Sequence, residues 1–293
     1  MRKYLTLFTY VSLLFLVIAL FKADYLFVPT IYFPGKLLLS LGLLFLGFFA
    51  DAIAWHRTVV ISGNPSISLS HAISSMGLSV FGKYIPGKFW VVLGRAGFLI
   101  EQYGLNKKDT AALSLNAQFI SLWVGLLLGG IGILLIGDEK WYGTGGLVLW
   151  AFLTILLFSH LPHQFFRHAL KTLFKKDISL PFLTIKSIIG VIPWYLINWL
   201  LWIASFYFFT DALTITDVNM LTGFTFAIGA TLGILVLFAP GGIGVREGVL
   251  FVFLVSCGLA APEATTVAVS SRLWFLVGEL FVFLLGLGLA RKN

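Results

Sequence analysis

The sequence predicts an all-α polytopic membrane protein with about six full transmembrane helices and two re-entrant broken-helix hairpins arranged as an inverted repeat. Hydrophobic residues make up 59% of the 293 residues and charged residues only 11%, with a mean hydropathy of +0.99. Such a composition excludes an ordinary soluble domain. Apolar runs recur along the whole chain, and two of them are broken by Pro-Gly, at Pro86-Gly87 and at Pro240-Gly241.

Six apolar runs are long enough to cross a hydrocarbon core of ~30 Å as single helices. They cover residues 4–21, 37–55, 110–136, 145–161, 187–209 and 264–289. The first run follows a basic start and resembles a signal peptide, but no small-x-small cleavage site follows it, so we expect an uncleaved span. We expect a single transmembrane domain over residues 1–293.

The remaining apolar segments form two pairs around the Pro-Gly breaks. They cover about 67–82 with 88–100, and about 220–238 with 243–256. A helix of 14 residues reaches only about two thirds of the hydrocarbon core at 1.5 Å per residue. Each pair therefore predicts a re-entrant hairpin with its break near the tip.

The two breaks also resemble copies of each other. A shift of 154 residues aligns Pro86 with Pro240, Gly94 with Gly248, and the pair Gly104-Leu105 with Gly258-Leu259. The number of identical residues in this alignment is about twice what so Leu- and Gly-rich a composition gives by chance. The matches between rarer residues, such as the two prolines, are the stronger evidence. We predict an internal repeat of about 67–136 and 220–290.

Basic residues orient the predicted spans. With both termini in the cytoplasm, the inner face holds Arg2, Lys3, Arg57, Lys107, Lys108, Arg167, Lys171, Lys175, Lys176, Arg291 and Lys292, and the outer face Lys22, Lys36 and Lys140. This agrees with the positive-inside rule and makes the two hairpins enter from opposite faces. We expect a multi-pass protein of the cell membrane, with residues such as Trp55, Trp141 and Tyr142 as interfacial anchors.

Ionisable residues cluster at the breaks and in the last span. At such depth each costs at least ~2.5 kcal/mol, so they should face a cavity or a partner. Lys88 begins a half-helix whose free N–H groups favour an anion, and Arg246 offers a planar fork to phosphate oxygens. The candidate substrate-binding residues are Lys83, Lys88, Arg95, Arg246, Glu247, Arg272 and Glu279; the candidate break or hinge residues are Pro86, Gly87, Pro240, Gly241, Gly242 and Gly244.

Each candidate has a structural alternative. Arg272 and Glu279 could form a buried pair within one helix, and Glu247 or Glu279 could neutralise Arg246. Lys83 could extend to the membrane interface. Asn116 and Gln118 fit interhelical hydrogen bonds better than ligand binding.

The sequence gives little support for catalysis. The five histidines, His56, His71, His160, His163 and His168, lie mostly near interfaces and loops, without metal-ligand spacing. Cys257 is the single cysteine, which excludes an internal disulfide and a CxxC pair. We expect no enzyme activity, cofactor, catalytic residue or metal site, and no nucleic-acid partner.

The stretches Gly82-Lys83-Tyr84-Ile85-Pro86-Gly87-Lys88-Phe89-Trp90 with Gly94-Arg95, and Ala239-Pro240-Gly241-Gly242-Ile243-Gly244-Val245-Arg246-Glu247-Gly248, resemble signatures of the lysylphosphatidylglycerol synthase/flippase transmembrane family. The resemblance covers nearly the whole chain. It implies a flippase-like domain that moves lipids with charged head groups between leaflets. Members that make aminoacylated lipid carry a soluble C-terminal synthase domain, which this sequence lacks, so lipid aminoacylation is not expected.

Two hypotheses remain open besides catalysis. The first is a transporter for a phosphate-containing or charged-head-group lipid. In it Lys88, Arg95 and Arg246 hold phosphate, while Glu247 and Glu279 balance charge or contact a cationic head group. The second is a non-catalytic scaffold that recruits a glycosyltransferase of a glycolipid or polyprenyl-sugar pathway through the basic loop 162–177. Partners left open are a second copy of the chain or such a glycosyltransferase.

Overall fold

The computed structural model describes residues 2–22, 28–64, 66–85, 89–136, 140–158, 185–236 and 240–292. Within these ranges the chain is all helical. The helices are α1 (Arg2–Lys22), α2 (Pro34–Ile61), α3 (Leu69–Ser79), α4 (Phe89–Tyr103), α5 (Lys107–Ile136), α6 (Lys140–Phe158), α7 (Ile185–Leu213), α8 (Thr222–Leu235), α9 (Val245–Ser256) and α10 (Ala261–Lys292). A short 3₁₀ turn at Val80–Tyr84 precedes the first break, and another at Pro240–Gly242 contains the second.

Four of the described helices are long and apolar enough to cross a membrane. They are α2, α5, α7 over Ser187–Leu213, and α10 over Ala261–Arg291. The chain is therefore an all-α polytopic membrane protein. The predicted spans 4–21 and 145–161 overlap α1 and α6, and the basic loop 162–177 lies outside the described residues.

Both predicted hairpins fold back on themselves. In the first, Gly94 of α4 packs against Ser79 of α3, and Gly82 packs against Val91. In the second, Gly229 of α8 packs against Leu250 of α9, and Gly233 packs against Arg246. In each pair the residue number rises on one side as it falls on the other, so the two halves run antiparallel, as the sequence predicted.

The same local signal, a glycine, ends the second half of each hairpin. Gly104 follows α4 with φ of 64°, and Gly258 follows α9 with φ of 96°, a left-handed conformation that glycine adopts without steric cost. Asn106 then caps α5, because its side-chain oxygen accepts from the backbone N–H of Lys108 at 2.9 Å and of Asp109 at 3.3 Å.

The helices of the two halves pack in corresponding ways. Helix α3 lies along α10, and α8 lies along α5, while α2 packs on α3 and α7 packs on α8. Glycines allow the close crossings. A Cβ atom on Gly77 of α3 would lie 2.3 Å from the Val282 carbonyl oxygen of α10, and one on Gly132 of α5 would lie 2.2 Å from Phe224 Cβ of α8.

An ion pair joins α2 and α7 at one end of the bundle. Lys36, at the start of α2, binds Asp211, near the end of α7, with 2.8 Å between Nζ and the carboxylate. The backbone N–H groups of Tyr32 and Phe33 donate to the carbonyl of Ala212 beside it. Lys36 was assigned to the outer face from the sequence, and Asp211 lies beside it.

Candidate functional site

A cavity of about 190 Å³ lies between the two hairpins. Its wall takes residues from α2, α3, α4, α5, α7, α8, α9, α10 and both 3₁₀ turns. The lining includes three cations, Lys83, Arg95 and Arg246, and one carboxylate, Asp51. Three of the predicted binding residues are thus brought together at one place.

Arg95 is held rigidly at one side of this cavity. Its Nη2 donates to the Ser114 carbonyl oxygen at 2.6 Å and its Nε to Ser114 Oγ at 3.1 Å. Ser114 Oγ in turn donates to the carbonyl of Val92, one turn before Arg95. The guanidinium lies over the Trp55 ring, 4.2 Å from its centroid, a favourable cation–π geometry.

Trp55 is not an interfacial anchor, contrary to the sequence interpretation. Its side chain is completely buried, and its indole Nε1 donates to Ser75 Oγ at 2.9 Å. A tryptophan near the end of an apolar run can either anchor the helix at the interface or pack inside the bundle against a cation such as Arg95, and the sequence does not distinguish the two.

Arg246 lies just after the second break, on the first turn of α9, and is 4% exposed. Its guanidinium lies 4.8 Å from the Phe226 ring centroid and 5.1 Å from that of Phe275. Its Nη2 reaches the Ser271 carbonyl oxygen at 3.3 Å. The two aromatic rings stabilise the guanidinium charge through cation–π contacts, and Arg246 lines the cavity.

Glu247 is engaged by the backbone and by the last helix. The Arg272 Nε donates to Glu247 Oε1 at 2.5 Å, and the Gly244 backbone N–H donates to Oε2 at 2.7 Å. Arg272 also donates from Nη1 to the Gly241 carbonyl oxygen at 2.6 Å. These contacts fix the second break, where Gly241, Gly242 and Gly244 have φ of 59°, 72° and 81°.

Glu279 engages the first break. It forms an ion pair with Lys83, and the Tyr84 hydroxyl donates to its Oε2 at 3.0 Å. The predicted alternatives of an Arg272–Glu279 pair within α10 and of Lys83 reaching the interface are wrong, because each partner binds a hairpin instead. Arg272 and Glu279 are seven residues apart, or about two helical turns of ~5.4 Å each. This separation along α10 lets each side chain reach a different hairpin.

The described structure places the predicted binding residues in two groups. Lys83, Arg95 and Arg246 line the cavity, whereas Glu247, Arg272 and Glu279 hold the hairpins around it. Lys88, Pro86 and Gly87 lie outside the described residues, as do the side chain of Pro240 and the histidines His160, His163 and His168. Asn116 is buried, and Gln118 lines the cavity.

Sequence reasoning missed one charged residue and the aromatic wall. Asp51 sits within the apolar span 37–55, and an acidic residue at that depth was the available signal. Tyr195, Trp199 and Trp202 of α7 also line the cavity, but in sequence they are part of an apolar run. Among the described residues no group of three His, Cys, Asp or Glu side chains could hold a metal ion.

The fold and the buried charges define a polytopic membrane protein with a cavity between two broken-helix hairpins, whose mostly apolar wall carries several charged side chains. The family model for the lysylphosphatidylglycerol synthase TM region matches residues 4–286. The chain belongs to this family, as the motifs around both breaks had indicated. Comparisons with curated proteins and with solved structures gave no match.

Proposed function

We propose that the chain moves a lipid with a phosphate-containing or otherwise charged head group between the leaflets of the cell membrane. The observation that carries this proposal is the cavity shared by Lys83, Arg95 and Arg246. Lys83 is paired with Glu279, but cations still outnumber carboxylates in the cavity lining. Arg95 and Arg246 are each less than a tenth exposed, and two buried positive charges at one small space favour an anion as the occupant. Arginine forks match phosphate oxygens in geometry.

The size of the cavity supports a head group as the occupant. Pockets for drug-sized ligands have volumes of about 300–1,000 Å³, and this cavity has about 190 Å³. A phosphate with a small substituent fits that space, whereas acyl or prenyl chains do not. In the proposal the chains stay in the bilayer while the head group passes through the protein.

The arrangement of the hairpins supports alternating exposure. The bounds of α2 to α5, shifted by the separation of Pro86 and Pro240, fall close to those of α7 to α10, and corresponding helices make corresponding contacts. We infer that residues 34–136 and 185–292 are an inverted repeat, longer than the sequence alone indicated. Transporters of this design expose a midplane site by rocking one repeat against the other.

The test is leaflet exchange of phosphatidylglycerol carrying a fluorophore on one acyl chain, in proteoliposomes, with an impermeant quencher for the outer leaflet. Arg246→Gln should reduce exchange at least tenfold. Arg57→Gln is the matched control, because Arg57 is an exposed arginine near the end of α2. Equal exchange by the wild type and by Arg246→Gln, with both proteins folded, would reject the proposal and favour the scaffold hypothesis.

A further inference from the structure

Asp51 differs from the other two carboxylates inside the described bundle. Glu247 is bound by Arg272 and Glu279 by Lys83. The Asp51 carboxylate lines the cavity, and it makes no hydrogen bond and no salt bridge with any residue that the structure describes. Its charge partner is Arg95, which lines the same cavity.

The groups that face Asp51 come from every element around it. Arg95 on α4 and the Tyr195 hydroxyl on α7 interact with it electrostatically. Lys83 from the first 3₁₀ turn and Arg246 from α9 line the cavity with it, as does the neutral Gln118 of α5. Helix α3 contributes the apolar Met76 and α10 the apolar Phe275. Of these groups, Arg95 and Tyr195 are the two that interact electrostatically with the carboxylate, and Arg95 is the charged one.

The Tyr195 hydroxyl is itself a buried polar group; it interacts with the Thr58 side chain and makes no other hydrogen bond with the described residues. It lies on the cavity wall, 1% exposed. A protonated carboxyl group can both donate and accept hydrogen bonds, whereas an ionised one only accepts. The polar groups around Asp51 can therefore accommodate the carboxyl group in either its ionised or its protonated state.

A phosphate bound by Arg95 and Arg246 changes the electrostatics of Asp51. It places a second negative charge near the carboxylate. It also neutralises part of the positive charge of Arg95, which otherwise stabilises the ionised carboxylate. Like charges that share a site of low dielectric favour protonation of one of them. The phosphodiester of a lipid stays ionised near neutral pH, so the carboxyl group is the one that takes the proton.

We propose that Asp51 is a proton-binding site linked to the head-group site, so that binding of an anionic phospholipid draws one proton from water onto this carboxylate. This inference rests on the proposed function, because it uses the same cavity. By linkage, protonation of Asp51 increases the affinity for the phosphate by the same factor. Lipid and proton then occupy the cavity together, and a proton gradient biases the direction of lipid movement.

The experiment is calorimetric titration of the purified full-length chain in detergent with short-chain dihexanoyl phosphatidylglycerol. Repeating it in buffers of different ionisation heats gives the number of protons taken up per lipid. We expect a value approaching about one proton per lipid near pH 7 for the wild type. The affinity should fall by up to about tenfold for each pH unit of increase where Asp51 titrates.

Asp51→Asn mimics the neutral carboxylic acid. It should bind the lipid with no proton uptake and, at pH 8, more tightly than the wild type. Asp211→Asn is the control, because Asp211 is an acidic residue bound to Lys36 at the end of the bundle. It should keep the proton uptake of the wild type.

The outcomes separate the two proposals. Lipid binding that Arg246→Gln weakens, but that takes up no proton and does not change between pH 5 and pH 8, overturns the proton site and leaves the head-group site standing. Proton uptake that persists in Asp51→Asn assigns it to another group and also overturns the inference. Lipid binding that is absent, or unchanged by Arg246→Gln, overturns the head-group site and with it the proton site.

Discussion

The backbone of Gly241 packs directly on the ring of Tyr84, because a Cβ atom on this glycine would lie only 3.0 Å from the Tyr84 ring. The 3₁₀ turn before the first break and the one at the second break therefore touch beside the cavity. One helix holds both of them: from α10, Arg272 binds the Gly241 carbonyl and Glu279 binds the Tyr84 hydroxyl. Any movement of one hairpin relative to the other must change these contacts.

The Lys83–Glu279 pair should be worth far more than a surface ion pair. Removing one partner of a buried pair costs about 3–5 kcal/mol, because it leaves the other charge uncompensated. Lys83 keeps 26% of its side-chain exposure, so we expect Glu279→Gln to lower stability by an amount near the lower bound. The free energy of unfolding in detergent, measured with denaturant, is the readout.

The double variant Lys83→Met with Glu279→Gln tests whether the cost comes from an uncompensated charge. It should recover part of the stability lost by Glu279→Gln. Additive losses in the double variant would contradict a direct pairing of the two residues.

Arg272→Lys should destabilise the second hairpin although it keeps the charge. Arg272 uses Nε for Glu247 and Nη1 for Gly241, and a lysine ammonium on a flexible stem cannot match both positions. Loss of one hydrogen bond to a charged group costs about 1.5–3 kcal/mol. The thermal unfolding midpoint should fall, whereas Arg291→Lys, at an exposed position of the same helix, should leave it unchanged.

Gly77→Ala should disturb the crossing of α3 and α10. The new methyl group would meet the Val282 backbone carbonyl at 2.3 Å, and overpacking of this kind costs about 1–3 kcal/mol. Gly42→Ala, in α2, meets no atom within 4 Å and should be neutral or stabilising by up to about 1 kcal/mol. If both variants unfold at the same temperature, the close crossing is not as described.

Single-cysteine labelling can test the opposite entry of the two hairpins. In a Cys257→Ser background, Ser66→Cys and Lys107→Cys flank the first hairpin, and Asn219→Cys and Ala260→Cys flank the second, all at exposed positions. An impermeant maleimide added to intact cells should label the second pair, and the first pair only after permeabilisation. Labelling of Ser66→Cys and Lys107→Cys from opposite sides would show that the first segment spans the membrane.

Local sequence signals were sufficient for the helices and the breaks. Length and hydropathy located the spans, and Pro-Gly located the points where each hairpin turns, because these signals act within one or two turns of chain. The glycines Gly104 and Gly258 ended both hairpins where the repeat placed them.

The partners of the charged residues could not be predicted in the same way. Arg272 and Glu279 share one helix, yet each binds a different hairpin. Tertiary packing brings Glu247 to Arg272 and Lys83 to Glu279, and these partners are nearer than the opposite charge two turns away on the same helix. Asp51 was overlooked because a lone carboxylate in an apolar span has no spacing pattern. Tyr195 and Trp199 have the same sequence appearance whether they face a cavity or a neighbouring helix.

The small volume of the cavity also limits which features of a lipid the proposed transport can select. In the proposed transport, a site that encloses the head group alone does not distinguish lipids by the number, length or saturation of their hydrocarbon tails. Glycerolipids and polyprenyl phosphates would then compete for the same passage on equal terms. The physiological cargo would be set by the enzymes that supply phosphate-bearing lipids to that leaflet, and changing their output would redirect the flux without any change in the protein.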